Sequence, residues 1–382
     1  MSQTEIWDRF REQMPVTEEW AYFDNGAVAP LSAPARDAMC NWAHQAAESG
    51  DTVWLTWLRG IEQTRTAAAT LLNAATSEIA LVPNTTSGIS LVAEGFPWNE
   101  GDNVVLPGNE FPSNAYPWLN LAGRAVEARR VPIDGNAVDL NRIADACDVR
   151  TRLIAISWIG YATGWRIDVG ELVRMAHDRG VLVMLDAIQG LGLYPLDVQQ
   201  TGVDFVAADG HKWMLGPEGA GILYVRREHV ANLRAICVGW NSVEHASDYS
   251  KIELRLRDSA ARYEGGSNNM AGFLGLGASL ELLAGLGLSA DESPLAQRVA
   301  QITDLACDRL QSIGARIVSS RDDKHRSGIV AFDLPGRDLP AQRKRCLAAG
   351  VALSCRGGNL RISPHAYVNA EDVNRLVESL KM

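Results

Sequence analysis

Between about residues 75 and 230 the chain alternates short apolar runs with amphipathic stretches, and this alternation restricts the fold more than any other feature. "EIALVPN", "DNVVLPG", "AVEARRVP", "TRLIAISW", "VLVMLDA", "DFVAAD" and "GAGILYV" read as strands. "TTSGISLVAEGF", "AYPWLNLAG", "LNRIADAC" and "DVGELVRMAHDRG" read as the helices between them. Val, Ile and Leu runs without polar alternation mark strands buried on both faces, and the intervening helices supply the cover. The expectation is an α/β fold with a mainly parallel seven-stranded sheet. From about residue 290 the pattern changes. "SPLAQRVAQITDLACDRLQSIG" reads as a helix, "GIVAFDL", "VALSCR" and "LRISP" as strands, and "NAEDVNRLVESL" as a closing helix that Asn369 caps. This is a smaller α+β C-terminal unit. The expected division is a large domain over 15–265, a small domain from 1–14 and 290–382, and a linking helix over 266–289.

Charge and motif content remove several function classes. The net charge is −10, from 36 basic and 46 acidic residues. That balance disfavours general binding to nucleic acid or an anionic membrane. The six cysteines are scattered without a C-x-x-C pair, which suits a reducing cytoplasm. The N-terminal segment is polar and lacks an apolar signal core. "AGFLGLGASLELLAGLGLSA", 271–290, nearly reaches spanning length, but its five glycines and missing aromatic or basic flanks favour a buried helix. No G-x-G-x-x-G follows a strand, and no P-loop, G-x-S-x-G or H-E-x-x-H occurs. The expected partner is a small molecule, with no nucleic acid, membrane or metal.

Lysine usage is skewed. Only five of the 36 basic residues are lysines, and none precedes Lys212. Lys212 follows the strand "DFVAAD" inside "DGHKWMLGPEGAG". Arginine stays protonated, whereas a buried lysine loses its proton and forms a Schiff base. In open α/β sheets chemistry gathers at the carboxyl ends of the strands. Asp186, Gln189, His211 and the "NTTSG" turn all fall there. Each has a plainer reading: a surface lysine, an arginine-paired carboxylate, a helix cap, a packed histidine.

Taken together they match one ligand. Pyridoxal 5'-phosphate has an aldehyde that needs an amine, a ring nitrogen that needs an acid, a phenolic oxygen that needs a donor, and a phosphate that needs N–H groups. Lys212, Asp186, Gln189 and Thr85–Thr86 meet those needs, and His211 is placed to donate to the phosphate. Lys212 and Asp186 are the catalytic candidates.

The chain resembles the class V aminotransferase-type enzymes, in the branch with cysteine desulfurases, isopenicillin N epimerase-like proteins and kynureninase. "YFDNGAVAPLS", "NTTSGISLVAEG", "LDAIQ", "DGHKWMLGPEGAGILYVR", "RYEGGSNNMAGFLGLGASLELL" and "LRISPHAYVNAEDVNRLVESL" are similar to that family's segments, in its order. The resemblance implies the PLP-dependent transferase fold type I and a homodimer with shared active sites. In it Ser267 contacts the phosphate across the subunit interface, with Gly265 and Gly266 allowing close backbone approach. Arg361 grips the substrate carboxylate, and Asn25 lies in the N-terminal segment near the site.

Departures from the family pattern narrow the chemistry. Phe111 stands where desulfurases set a histidine over the cofactor ring, and a phenyl ring stacks without moving a proton. Tyr161 replaces a usual asparagine. Cys355 lies six residues before Arg361, without room for the mobile loop that carries a desulfurase nucleophile, so a structural thiol is expected. Arg356 is a second cation suited to a distal acid on the substrate. Asp209 replaces a serine near the phosphate; an acid there must turn away or share a proton, and it is left outside the binding set. The expected activity is aminotransferase-type chemistry on an amino acid or related amine. Epimerase or C–S/C–C lyase chemistry, desulfuration, and a non-catalytic PLP-fold binder are the alternatives.

Overall fold

The computed structural model describes residues 3–381 apart from 136 and 251. Its main sheet contains all seven expected strands: β1 (Ile79–Val82), β2 (Asn103–Pro107), β3 (Glu127–Val131), β4 (Thr151–Ser157), β5 (Leu182–Asp186), β6 (Phe205–Asp209) and β7 (Gly221–Val225). They lie in the order β1-β7-β6-β5-β4-β2-β3. β2 to β6 pair in parallel, and β7 runs antiparallel to both β1 and β6. The reversal follows from the connection. Residues 210–220 join β6 to β7 through turns rather than a helix, and a link without a crossover brings a strand back antiparallel.

The apolar runs account for the packing. β1, β2, β6 and β7 are buried at every position. Two apolar clusters flank the sheet, one on Leu81, Ile154, Leu185 and Val206, the other on Ala80, Leu153, Met184 and Ala207. Side chains alternate across a strand, so adjacent residues feed opposite clusters. Only β3 is substantially exposed, and its Arg129 and Arg130 suit a sheet edge. Because β1 and β6 both run opposite to β7, the carboxyl ends of β1, β2, β4, β5 and β6 share one edge.

Helix α1 (Thr85–Gly95) leaves the end of β1. Helix α2 (Met270–Gly285) is capped by Asn269, whose side chain accepts from the Gly272 N–H at 3.1 Å. It is largely buried, as its apolar sequence requires. No helix of the described residues is long and apolar enough to cross a membrane.

After helix α3 (Pro294–Ser312) a second sheet forms from β8 (Arg316–Ile317), β9 (Val330–Asp333), β10 (Ser354–Arg356) and β11 (Asn359–Ile362). Its order is β10-β11-β9-β8, all antiparallel. The run read as one strand, "VALSCR", is divided. Val351–Ala352 pairs in parallel with Ala21–Tyr22, and Ser354–Arg356 pairs with β11. An Asp24–Ser363 bridge continues the first pairing and draws the N-terminal segment against β11. Asn369 caps helix α4 (Ala370–Lys381), accepting from Asp372 N–H at 3.0 Å while its own N–H donates to the Asp372 carboxylate.

Candidate active site

A cavity of about 290 Å³ opens at the shared carboxyl edge of the sheet. The turn after β1 gives Asn84, Thr85 and Thr86, that after β2 Phe111, and that after β4 Tyr161. Gln189 follows β5, and Asp209, His211 and Lys212 follow β6. Arg356 and Arg361 enter from β10 and β11. Ten of the twelve distinct residues read from the sequence meet in or beside this space.

Lys212 is buried, and its ammonium lies 5.7 Å from the centre of the Phe111 ring. Burial is the main force on its pKa and lowers it to about 8. Asp186 opposes that drop, while Arg361 and Arg356 add to it. The lysine loop is tightly folded. A Cβ on Gly210 would come within 2.7 Å of the Ala220 carbonyl oxygen, so only glycine fits there. Leu215 takes φ 55°, and Ser279 on α2 donates to its carbonyl at 2.7 Å. A bulky residue in that conformation is held by its surroundings.

Asp186 ends β5, outside the cavity lining, with its Oδ1 accepting the Ile188 N–H at 3.1 Å. Burial pushes its pKa up to about 6, against the pull of Ile188 and Lys212. Gln189 donates to the Gly26 carbonyl at 2.9 Å and accepts from the Trp213 indole at 3.1 Å. One N–H of its amide is left for a ligand.

At the start of α1 the Asn84 side chain accepts from Ser87 N–H at 2.8 Å. Thr85 Oγ1 accepts from Asp209 N–H at 2.9 Å, and Thr86 donates to Ser113 at 2.8 Å. Asn84 is therefore the helix cap, and the first turn that it caps forms part of the cavity wall through Thr85 and Thr86. His211 Nδ1 lies 2.9 Å from Asp209 Oδ2 without the alignment of a hydrogen bond. Asp209 Oδ1 and His211 Nδ1 are both buried without a hydrogen-bond partner. Asp209, left outside the set in the sequence reading, lines the cavity.

Arg361 is almost fully buried. Nε donates to Ser354 at 3.1 Å, Nη1 to the Tyr161 carbonyl at 2.6 Å, and Nη2 to Asp24 at 3.1 Å. Two of its five N–H groups stay available on the cavity side. Arg356 is exposed and donates to the Cys355 carbonyl. Phe111 and Tyr161 meet edge to face, with ring centres 5.2 Å apart.

Cys355 faces elsewhere. Ser354 and Arg356 flank it on β10 and point toward Arg361 and the cavity, so alternation sends the thiol to the other side. It packs on the apolar core, and burial raises its pKa. Among the described residues no cysteine lines the cavity.

Two site residues from the sequence lie apart. Asn25 is buried outside the cavity lining, its amide donating to the Ser363 carbonyl at 3.0 Å and accepting from the Tyr367 hydroxyl at 3.0 Å. Its neighbours Gly26, Ala27 and Val28 line the cavity instead. Ser267 is exposed and outside this chain's cavity. Gly265 approaches the Cys237 carbonyl so closely that a Cβ would overlap it.

Sequence reading also missed Asp24 and Glu110. Glu110 follows β2, accepts the Ser157 N–H at 2.7 Å and also bonds the Ser157 hydroxyl. Burial and then the nearby Asp186 charge raise its pKa to about 7, against the Ser157 hydrogen bonds. Each is an acid in or beside a quoted motif, and no spacing rule separates such an acid from a solvated one.

The residues fit pyridoxal 5'-phosphate: a buried amine, an amide N–H and a helix start line one cavity, with a buried acid beside it. When bound, this group supplies an aldehyde for an amine and an electron sink for a substrate carbanion. The sequence model of the aminotransferase class V family matches residues 21–376.

The chain belongs to the class V aminotransferase family. This class V enzyme uses pyridoxal 5'-phosphate and has the fold of that group. It is 32% identical over 395 residues to a probable cysteine desulfurase of Methanothermobacter thermautotrophicus, covering 97% of this chain and 96% of that protein. The cysteine desulfurase CsdA of Escherichia coli has a TM-score of 0.85 at 26% identity, covering 97% and 96% of the two chains. The cystine C–S lyase C-DES, solved with cysteine persulfide, has a TM-score of 0.88 at 24% identity, covering 97% and 99%.

Proposed function

We propose that this class V enzyme cleaves the C–S bond of a sulfur-bearing amino acid by β-elimination, without a protein thiol as sulfur acceptor. The observation that carries the reading is a cavity with a neutralisable lysine and two arginines, from which Cys355 is turned away. Relatives named as cysteine desulfurases point to sulfur amino acids. The missing thiol points to elimination rather than transfer to the protein.

Each residue then has a role. Arg361, oriented by Asp24, Ser354 and the Tyr161 carbonyl, binds the α-carboxylate through its two remaining N–H groups. Arg356 at the rim meets a distal anionic group, such as the second carboxylate of a disulfide amino acid. Lys212, neutral above about pH 8, takes the Cα proton. With the cofactor bound, Asp186 would hold the proton of its ring nitrogen, and Phe111 would offer an apolar ring that exchanges no proton. The Cβ–S bond breaks with its electron pair leaving on sulfur, as a thiolate or persulfide, and the remainder hydrolyses to a keto acid and ammonia.

The test is product analysis with cysteine and cystine. Elimination gives pyruvate, ammonia and released sulfur in equal amounts. Desulfuration gives alanine. Aminotransferase chemistry gives a keto acid only with amination of an added acceptor, and epimerisation gives the D-amino acid. Alanine, a D-amino acid or acceptor-dependent turnover as the main result contradicts the proposal.

A further inference from the structure

The buried tryptophan next to Lys212 is bonded to a wall residue of the cavity. Trp213 is fully buried and packs in the core, outside the lining to which Lys212 belongs. Its indole sits in a slot left by Gly328, where a Cβ would come within 2.5 Å of the ring. The indole N–H donates to Gln189 Oε1 at 3.1 Å. Gln189 is 3% exposed and lines the cavity, and its Nε2 donates to the Gly26 carbonyl at 2.9 Å.

These two partners leave the amide one orientation. Its oxygen and its NH2 are nearly alike in shape, so packing alone does not choose between them. An indole only donates, and a backbone carbonyl only accepts. The oxygen must therefore face Trp213 and the nitrogen must face Gly26, which leaves the second N–H as the unused donor. Reversed, the amide would set donor against donor at the indole and acceptor against acceptor at Gly26, all of them buried.

Both partners are held from one segment of the chain. The Ser363 hydroxyl oxygen accepts the Gly26 N–H at 2.8 Å. His365 Nδ1 accepts the Ala366 N–H at 2.9 Å, so its ring proton is on Nε2, which donates to the Trp213 carbonyl at 3.2 Å. Burial keeps that ring neutral, lowering its pKa to about 4. Arg361, which lines the cavity, opens the same segment.

We infer that Trp213 is a positioning residue of the cofactor site: through Gln189 Oε1 it fixes the amide so that an N–H is offered to the phenolic oxygen of pyridoxal 5'-phosphate. The inference rests on the cofactor reading and not on the C–S cleavage proposed above, because it concerns the loaded enzyme before substrate is added. A donor in that place favours the ionised oxygen over the protonated one. Loss of the fixed donor shifts that balance by roughly 2- to 10-fold, the span of one neutral hydrogen bond.

The test is a double-mutant cycle on Trp213→Phe and Gln189→Ala. The readout is the ratio of the two absorbance bands of the bound cofactor, with ionised and with protonated phenolic oxygen, at one pH and without substrate. Phenylalanine keeps an aromatic ring in the Gly328 slot and removes the donor. Each single variant should shift the ratio toward the protonated form, and the double variant should shift no further than Gln189→Ala. A wild-type ratio in Trp213→Phe overturns the inference. So do shifts that add in the double variant, since a merely structural effect of the ring acts whether or not Gln189 is present. If Trp213→Phe does not fold, nitrogen–proton NMR of the indole groups decides. Gln189→Ala should displace one of the eleven tryptophan signals, and an unchanged indole spectrum overturns the inference. Absence of both bands in wild-type protein incubated with pyridoxal 5'-phosphate defeats the cofactor reading and the inference together. The expected ratios in an enzyme that cleaves no C–S bond support the inference and contradict only the proposed reaction.

Discussion

Arg361 donates to Asp24 at 3.1 Å across 337 positions of sequence. The contact explains how a residue of a usually exposed type is held almost fully buried with its guanidinium presented to the cavity. Desolvation lowers the Arg361 pKa, and the Asp24 charge opposes that shift. Arg361→Lys keeps a charge but loses the planar fork. A hydrogen bond to a charged group contributes about 1.5–3 kcal/mol, so KM should rise roughly 10- to 100-fold with a smaller change in kcat. Steady-state kinetics on the best substrate measures this split.

Cys355 gives a sharper separation between two sulfur chemistries. Its thiol packs on the core while Ser354 and Arg356 face the site. Cys355→Ser should leave sulfur release within about 2-fold of wild type, because a polar swap at a half-buried position costs little. Loss of turnover with an intact fold would make Cys355 the sulfur acceptor.

Much of this is legible in the chain. Uninterrupted Val/Ile/Leu runs fix strands buried on both faces, and β1 to β7 follow them closely. Lys212, Gln189, Thr85 and Arg361 stand out because each sits at a strand end or in a motif of fixed local geometry. The failures are non-local. The reversal of β7 depends on how 210–220 fold back, and the split of "VALSCR" depends on Ala21–Tyr22 arriving from the far end of the chain. Repulsion between Asp209 and a phosphate is visible in sequence, whereas its unfilled Oδ1 is visible only in three dimensions.

Lys212 sets a pH dependence for cofactor capture. Burial lowers its pKa from 10.5 to about 8, and only the neutral amine attacks an aldehyde. Capture by the apoprotein should therefore accelerate as pH rises through the Lys212 pKa and level off above it. Stopped-flow absorbance checks it, and a rate still climbing steeply near the ordinary lysine pKa of 10.5 would place the amine in solvent.

A second carboxylate supports the fold away from the site. Asp204 Oδ2 meets His177 Nε2 at 2.9 Å and Val183 N–H at 2.8 Å, and Oδ1 meets His229 Nε2 at 3.0 Å. Burial pushes its pKa up, but these partners hold it below the ordinary 3.8. Its contribution is thus present above pH 3.8 and lost as pH falls through the lower folded value. Asp204→Ala should cost about 1–3 kcal/mol at neutral pH. The gap in denaturation midpoints should narrow on acidification below about pH 4, as the wild-type carboxylate takes up its proton.

The most direct measurement is borohydride reduction of the purified enzyme followed by peptide mapping. The reduced cofactor mass should fall on the peptide containing Lys212, and Lys212→Ala should abolish it. A label on Lys324 or Lys344, or none on any lysine of an enzyme that still turns over, would contradict the assignment of Lys212 as anchor and base.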